Sequence, residues 1–350
     1  RQRQMCIRDR SFSVMNIAIV GATGNVGRKI IEILEKKQIN IENLFLLASK
    51  NSEGKKINYN GKEHVVTDLE KFDFSNVKIA FFAAGSGVAE KWAHVAAEKT
   101  IVIDNSKYFR KDPDIPLIVP EVNSKKLSDV KNKNIIANAN CSVIPVVVAL
   151  KPLHDLYDIN RIVASTYQSV SGAGKSAMDE LLSQTENYFQ NKKISSKNFT
   201  KQIAFNAIPH IDSFLENGYT KEEQKTNDEI KKILDKKIKV TSTCVRIPVL
   251  VSHCISANVE FNKKCYLDEI RTVLSTSPGC KVVDEHQDGG YITPIEAEDK
   301  FETFISRIRL DESRENTINL WIVSDNLVKG AALNAVQIAE SLIKNDFYGR

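Results

Sequence analysis

The sequence predicts an α/β protein: a Rossmann-like, doubly wound parallel sheet followed by an α+β domain with a largely antiparallel sheet. Three observations lead there. Residues 16–20 form an apolar run of buried-strand length that leads directly into Gly21-Ala22-Thr23-Gly24-Asn25-Val26-Gly27 and an amphipathic stretch at 28–37. Strand, glycine turn and helix in that order open a dinucleotide-binding unit, because the glycines permit close backbone approach and the helix N-terminus faces a pyrophosphate. Apolar runs and helical stretches then alternate to residue 104, as in a parallel sheet with ligands at the strand C-termini. Beyond residue 160 the pattern changes to the alternation of strands with one buried face, typical of antiparallel sheets.

At 350 residues the chain has room for about two domains. Hydrophobic residues make up 42% and charged residues 27%, ordinary for a globular enzyme. No apolar run reaches the length of about 18 residues that a membrane span needs. The formal charge of +5 falls to +2 once residues 1–14, with four arginines and one aspartate, are set aside. That segment has no signal-peptide core. Met15 stands directly before the first strand-like run, so 1–14 reads as a non-native or disordered leader. The remaining balance gives no reason to expect nucleic-acid binding. The six cysteines form no CxxC pair and no metal-ligand spacing with histidine, so we expect free thiols, no metal and a reducing, cytoplasmic setting.

Along the chain, a second strand at 43–48 ends in Ser49-Lys50-Asn51-Ser52. This is where the adenosine ribose is met, and an acid there suits NAD while a base suits NADP. No acid occurs before Glu53 and Lys50 is at hand, so NADP is predicted. A strand at 77–84 runs into Gly85-Ser86-Gly87 and a helix at 88–99. A strand at 101–104 precedes Asn105-Ser106-Lys107-Tyr108-Phe109-Arg110, whose arginine is placed to grip a phosphate or carboxylate. Taken singly, a surface arginine is the commoner reading.

The centre of the chain is Asn138-Ala139-Asn140-Cys141-Ser142-Val143-Ile144-Pro145. Asn140 can end a loop and Pro145 fits a helix's first turn, which places Cys141 at a helix N-terminus. The dipole and free N–H groups there favour a thiolate of lowered pKa. The competing reading is a small buried hydrophobe.

A strand at 161–170 then leads into Ser171-Gly172-Ala173-Gly174-Lys175, which lacks P-loop spacing, and a helix at 176–188. Residues 191–225 are polar and irregular, and a charged helix spans about 221–236. Strands at 240–249 and 252–261, a helix at 267–274, and strands at 303–310 and 317–323 follow. Asp325-Asn326-Leu327 opens an alanine-rich helix at 329–343, expected to pack back on the first domain. The predicted domains are therefore 15–140, completed by 327–347, and 141–326.

Six blocks carry a resemblance: Gly21 to Gly27, Asn105 to Arg110, Asn138 to Ser142, Thr166-Tyr167-Gln168-Ser169-Val170-Ser171-Gly172-Ala173-Gly174, Gly218-Tyr219-Thr220 with Glu222-Glu223-Gln224-Lys225, and Cys244-Val245-Arg246-Ile247-Pro248-Val249 with His253. In order and spacing the set resembles the aspartate-β-semialdehyde dehydrogenase family, from Met15 to about Glu340. The resemblance implies reductive dephosphorylation of 4-phospho-L-aspartate to L-aspartate 4-semialdehyde with NADPH, toward lysine, threonine and methionine. Cys141 would attack the acyl phosphate, leaving a thioester that accepts hydride more readily than a carboxylate.

By the same resemblance His253 is the acid/base, and an imidazole near its ordinary pKa suits that work at neutral pH. Gln168 orients substrate or nucleophile. Arg246 holds the α-carboxylate, Glu222 the α-amino group, and Lys225, Arg110 and Asn140 the phosphate. Gly21, Thr23, Gly24, Asn25 and Val26 match the pyrophosphate turn. Ser49, Lys50, Ser52, Ala84, Gly85, Ser171 and Gly172 complete the expected cofactor set, with Asn326 near the nicotinamide. A homodimer through the second domain is implied. NADP-using members often carry arginine where this chain has Asn51, which leaves Lys50 as the cation for a 2′-phosphate.

Three other readings compete. N-acetyl-γ-glutamyl-phosphate reductase runs the same chemistry on an acylated amine, which would leave Glu222 without an ammonium to pair. A glyceraldehyde-phosphate type dehydrogenase sets its nucleophile in a different local sequence. A nucleotide-binding homologue without catalysis would not need Cys141, Gln168, Arg246 and His253 together.

Overall fold

The computed structural model describes residues 15–345. The expected leader at 1–14 and positions 346–347 lie outside the described residues. The first half contains β1 (Met15–Val20), α1 (Asn25–Lys36), β2 (Ile41–Ala48), β3 (Lys56–Tyr59), β4 (Lys62–Val65), β5 (Thr67–Asp68), β6 (Ile79–Phe82), α2 (Ser86–Ala97), β7 (Ile101–Asp104), β8 (Leu117–Ile118), α3 (Pro120–Asn123) and β9 (Ile135–Asn138). Seven of these strands form one sheet in the order β5-β2-β1-β6-β7-β9-β8. Every pairing in it is parallel. The chain winds outward from β1 in both directions, so the strand order reverses between β1 and β6. In doubly wound sheets that reversal opens a crevice at the strand C-termini. The near-continuous apolar runs of β1, β6 and β7 are buried, as parallel strands covered on both faces must be.

The second half begins with α4 (Val143–Tyr157) and β10 (Ile159–Gln168), then α5 (Lys175–Phe189), α6 (Lys221–Ile233), β11 (Lys239–Arg246), β12 (His253–Phe261), α7 (Leu267–Thr276), β13 (Cys280–Val282), α8 (Pro294–Ala297), β14 (Thr303–Leu310) and β15 (Thr317–Ser324). Six strands form a sheet in the order β11-β10-β12-β15-β14-β13. The central pairings are antiparallel, while β10 with β11 and β13 with β14 are parallel. The β10–β11 pairing departs from a plain antiparallel reading of 161–170. The long excursion through α5 and α6 returns the chain to the same end of the sheet, and that forces a parallel neighbour.

A π-helical segment, Val328–Ala332, leads into α9 (Leu333–Lys344). Buried residues of α9, among them Leu333, Val336 and Leu342, share a core with Ile17, Ile19 and Ile30 of β1 and α1. The opposite face of the first sheet shares a core with α4 and the second sheet: Val146, Val147 and Leu150 pack in one cluster with Phe82, Val102, Ile255 and Ile322. Helix α4 is thus apolar nearly all round because it lies inside the molecule. It joins the C-terminal end of the first sheet to the second.

Candidate active site

Four strand ends and one helix converge on Cys141. Asn140 closes the turn after β9: its Oδ1 accepts the Ser142 N–H at 2.9 Å, and its backbone oxygen accepts the first helical N–H groups of α4. Cys141 therefore sits just before the helix N-terminus, as predicted. The parallel register of β10 with β11 places Gln168 opposite Arg246, and β12 begins at His253 beside the end of β15. Helix α6 supplies Glu222 and Lys225 from one face, an i,i+3 pair 2.7 Å apart. Glu222 is buried, so the pair is not a solvent-facing one.

Cys141 Sγ lies 3.3 Å from His253 Nε2. The His253 Nδ1 accepts the Ser169 backbone N–H at 3.1 Å. A ring nitrogen that accepts carries no proton, so the neutral imidazole bears its hydrogen on Nε2, toward the sulfur. Burial, helped by the nearby Arg246 guanidinium, pushes His253 down to about 3. Burial and the Glu222 carboxylate push the Cys141 thiol up to about 11, against the opposing pull of Arg110 and Arg246. Two expectations are corrected here: the resting cysteine is a thiol, and the histidine is far from its ordinary pKa. The helix N-terminus is present, but desolvation and a buried carboxylate outweigh it.

The remaining side chains are held by one another. Gln168 Nε2 donates to Glu222 at 3.3 Å and its Oε1 accepts from Thr166 at 3.0 Å. Asn140 Nδ2 donates to the same Glu222 oxygen at 3.0 Å. Burial raises the Glu222 carboxyl, but Lys225, Asn140 and Gln168 outweigh it and the net shift is downward. Arg246 Nη1 donates to the Ser169 carbonyl at 2.6 Å. Gly172 lies beneath this pair, and a Cβ there would stand 3.0 Å from Arg246 Nη1 and 3.3 Å from the His253 ring. Asn326 Oδ1 accepts from Ser169 Oγ, Ser171 Oγ and the Ser252 N–H, fixing the loop that orients His253.

A cavity of about 490 Å³ is lined by Cys141, Gln168, Arg110, Asn140, Glu222, Lys225, Arg246 and Asn326, together with Val26, Gly85, Ser171 and Gly172. A second cavity of about 640 Å³ is lined by Gly21, Thr23, Gly24, Ser49, Lys50, Asn51 and Ala84. The two meet at the first βα turn, where Gly24 faces one and Val26 the other. Asn25 and Ser52 line neither: Asn25 Nδ2 is directed at the Met178 sulfur, and Ser52 Oγ accepts from Lys55.

The turn fits a dinucleotide. Gly21 has φ +87°, and a Cβ there would come within 2.7 Å of the Ala83 carbonyl group. A Cβ on Gly27 would collide with the Gly21 carbonyl oxygen. Only glycine gives this cradle, and the free N–H groups at the start of α1 supply the anion donors.

Three polar residues of this site were missed by the sequence reading. Ser169 orients His253. Asp212, from the irregular segment before α6, accepts from Lys107 at 3.2 Å and Lys225 at 3.1 Å. Glu229, buried on α6, contacts Arg110 and the Asn140 backbone. Only Glu229 had a readable signal, lying seven residues beyond Glu222 on the same helical face.

The dinucleotide fold and the domain that follows it place the chain in the semialdehyde dehydrogenase class. Residues 16–130 match the semialdehyde dehydrogenase NAD binding domain and residues 150–329 its dimerisation domain. The chain is 48% identical over 331 residues to aspartate-semialdehyde dehydrogenase of Rickettsia typhi, covering 94% of this chain and 98% of that one. It is 49% identical over 332 residues to the enzyme of the same name from Aquifex aeolicus, with the same coverage. The crystal structure of aspartate semialdehyde dehydrogenase II from Vibrio cholerae complexed with ASA superposes with a TM-score of 0.93 at 45% identity, covering 95% of this chain and 99% of that one. The chain belongs to the aspartate-semialdehyde dehydrogenase family. It is an oxidoreductase of amino-acid biosynthesis with a nicotinamide-cofactor domain, and no helix among the described residues is long and apolar enough to cross a membrane.

Proposed function

We propose that the protein interconverts 4-phospho-L-aspartate and L-aspartate 4-semialdehyde with NADP(H), through a thioester on Cys141. The observation that carries this reading is the 3.3 Å contact of buried His253 with Cys141, which lines a cavity together with two arginines. A carboxylate and a phosphate on one substrate call for two such guanidinium groups.

In the reductive direction, Arg246 receives the α-carboxylate and Glu222 the α-ammonium, which sets the acyl carbon against Sγ. Arg110 and Lys225 receive the phosphate. Arg110 Nε is buried without a partner among the described residues, a donor left over for an anion. Attack forms the S–C bond and breaks the C–O bond to phosphate, and the thiol proton leaves with the phosphate. NADPH held by the residues that line the two cavities would supply the hydride. The His253 Nε2–H would hydrogen-bond to the oxygen on the former acyl carbon without giving up its proton, and cleavage of the C–S bond would release the aldehyde and a Cys141 thiolate, which takes a proton from solvent to restore the thiol. The histidine works as an N–H donor held by Ser169, and it needs no ordinary pKa for that.

The preference for NADP rests on Lys50, which lines the adenosine-side cavity and has no ion-pair partner among the described residues. The functional division runs 15–140 with 327–347 for the cofactor, and 141–326 for catalysis and pairing of two copies. Replacing Cys141 with Ala should abolish turnover and leave cofactor binding intact. Surviving turnover contradicts the covalent route. Light scattering should read twice the chain mass, and a single-chain mass contradicts the homodimer.

A further inference from the structure

Helix α6 places a second buried carboxylate, Glu229, beneath the site. Its Oε2 accepts the Asn140 backbone N–H at 2.7 Å, and its Oε1 accepts Arg110 Nη1 at 3.3 Å. Among the described residues the Arg110 side chain is otherwise held only through Nη2, which donates to the Asn105 carbonyl at 3.1 Å. These partners come from different places. Arg110 lies on the loop after β7, Asn140 is the residue before the nucleophile after β9, and Glu229 reaches them from the second half of the chain. A carboxylate has two acceptor oxygens at fixed separation, so it ties the two loops at one spacing.

We infer that Glu229 is a positioning residue for the phosphoryl side of the reaction, holding the Arg110 guanidinium in register with the Asn140–Cys141 turn. This rests on the reading of Arg110 as a phosphate ligand. The contact leaves Arg110 Nε without a partner among the described residues, and the same carboxylate keeps the turn carrying Sγ from shifting relative to it. Leaving a buried guanidinium half-paired is costly, which gives the contact its weight.

Glutamine separates the two bonds. In Glu229→Gln the amide oxygen can still accept from Asn140, but the amide NH₂ faces Arg110 donor to donor. Assayed in the oxidative direction with L-aspartate semialdehyde, NADP and inorganic phosphate, E229Q should raise the KM for phosphate about tenfold or more, the usual scale for losing a charged hydrogen bond. The KM values for aldehyde and NADP should stay within about twofold, since Arg246 and the glycine turn are untouched. An unchanged or lowered phosphate KM overturns the inference, because Glu229 would then be a bystander or a competitor of the anion.

Arg110→Gln alone distinguishes the two readings. If R110Q leaves phosphate KM unchanged, the assignment of Arg110 fails. If R110Q raises it and E229Q does not, only the role of Glu229 fails. In the double variant the E229Q effect should vanish, whereas additive effects contradict action through Arg110. Should E229Q not fold, Glu229→Asp keeps the charge and shortens the reach, and it too must raise phosphate KM selectively.

Discussion

Cys141 Sγ and His253 Nε2 stand 3.3 Å apart as a thiol and a neutral imidazole, not as an ion pair. Burial and Glu222 hold the thiol up near 11, while burial and Arg246 hold the ring down near 3. An isolated cysteine–histidine contact of this length would favour the thiolate–imidazolium form. Its surroundings reverse that preference.

The first prediction concerns thiol reactivity in the ligand-free enzyme. Inactivation by iodoacetamide should be slow at neutral pH and should still be rising at pH 9, since only the thiolate reacts. A plateau reached below pH 8 would show a preformed ion pair and contradict the assignment.

His253 also sets a stability slope. In the unfolded chain an ordinary histidine titrates near about 6.5, whereas folded His253 titrates near 3. Between these values the unfolded chain binds a proton that the folded one refuses, so His253 costs stability as pH falls from about 6.5 toward 3. Urea denaturation at several pH values should show a shallower acid slope for His253→Asn than for the unaltered chain. Identical slopes contradict the depressed pKa.

At the adenosine end, Lys50→Glu should raise the KM for NADP by about tenfold, with the KM for NAD little changed. Equal effects on both coenzymes would remove Lys50 from the 2′-phosphate. Glu70 and Asp68 line the same cavity, but Glu70 is paired with Lys91 at 2.9 Å and Asp68 caps the Glu70 N–H.

Gly330, in the π-helical segment, faces Cys141: a Cβ there would lie 3.0 Å from the Cys141 Cβ. Gly330→Ala should displace Cys141, lowering kcat about tenfold or more while costing only about 1–3 kcal/mol of stability. Unchanged kcat would mean that the turn relaxes without moving the sulfur.

Much of this architecture was legible because its signals are local. The run at 16–20, the glycine turn and the alternation of β1, α1 and β2 are properties of neighbouring residues, as is the position of Cys141 ahead of α4. The polar hairpin of β3 and β4 escaped notice because it is largely exposed and has no apolar alternation, although Asn60-Gly61 supplies its turn with φ of +49° and +74°. Helix α6 showed only part of its role for a related reason. Its buried residues are Glu222, Glu223, Thr226, Asn227, Glu229, Ile230 and Ile233, a largely polar set whose partners, Arg110, Asn140 and Gln168 among them, lie far away in sequence. The thiol of Cys141 shows the same limit. A helix N-terminus can be read from Asn140 and Pro145, but Glu222 arrives from 81 positions away and reverses its effect.

The most direct test follows absorbance at the reduced-nicotinamide band with L-aspartate semialdehyde, inorganic phosphate and NADP. The structure predicts reduction of NADP that requires phosphate and disappears in Cys141→Ala. Reduction without phosphate, or reduction only with N-acetylglutamate semialdehyde, would contradict it.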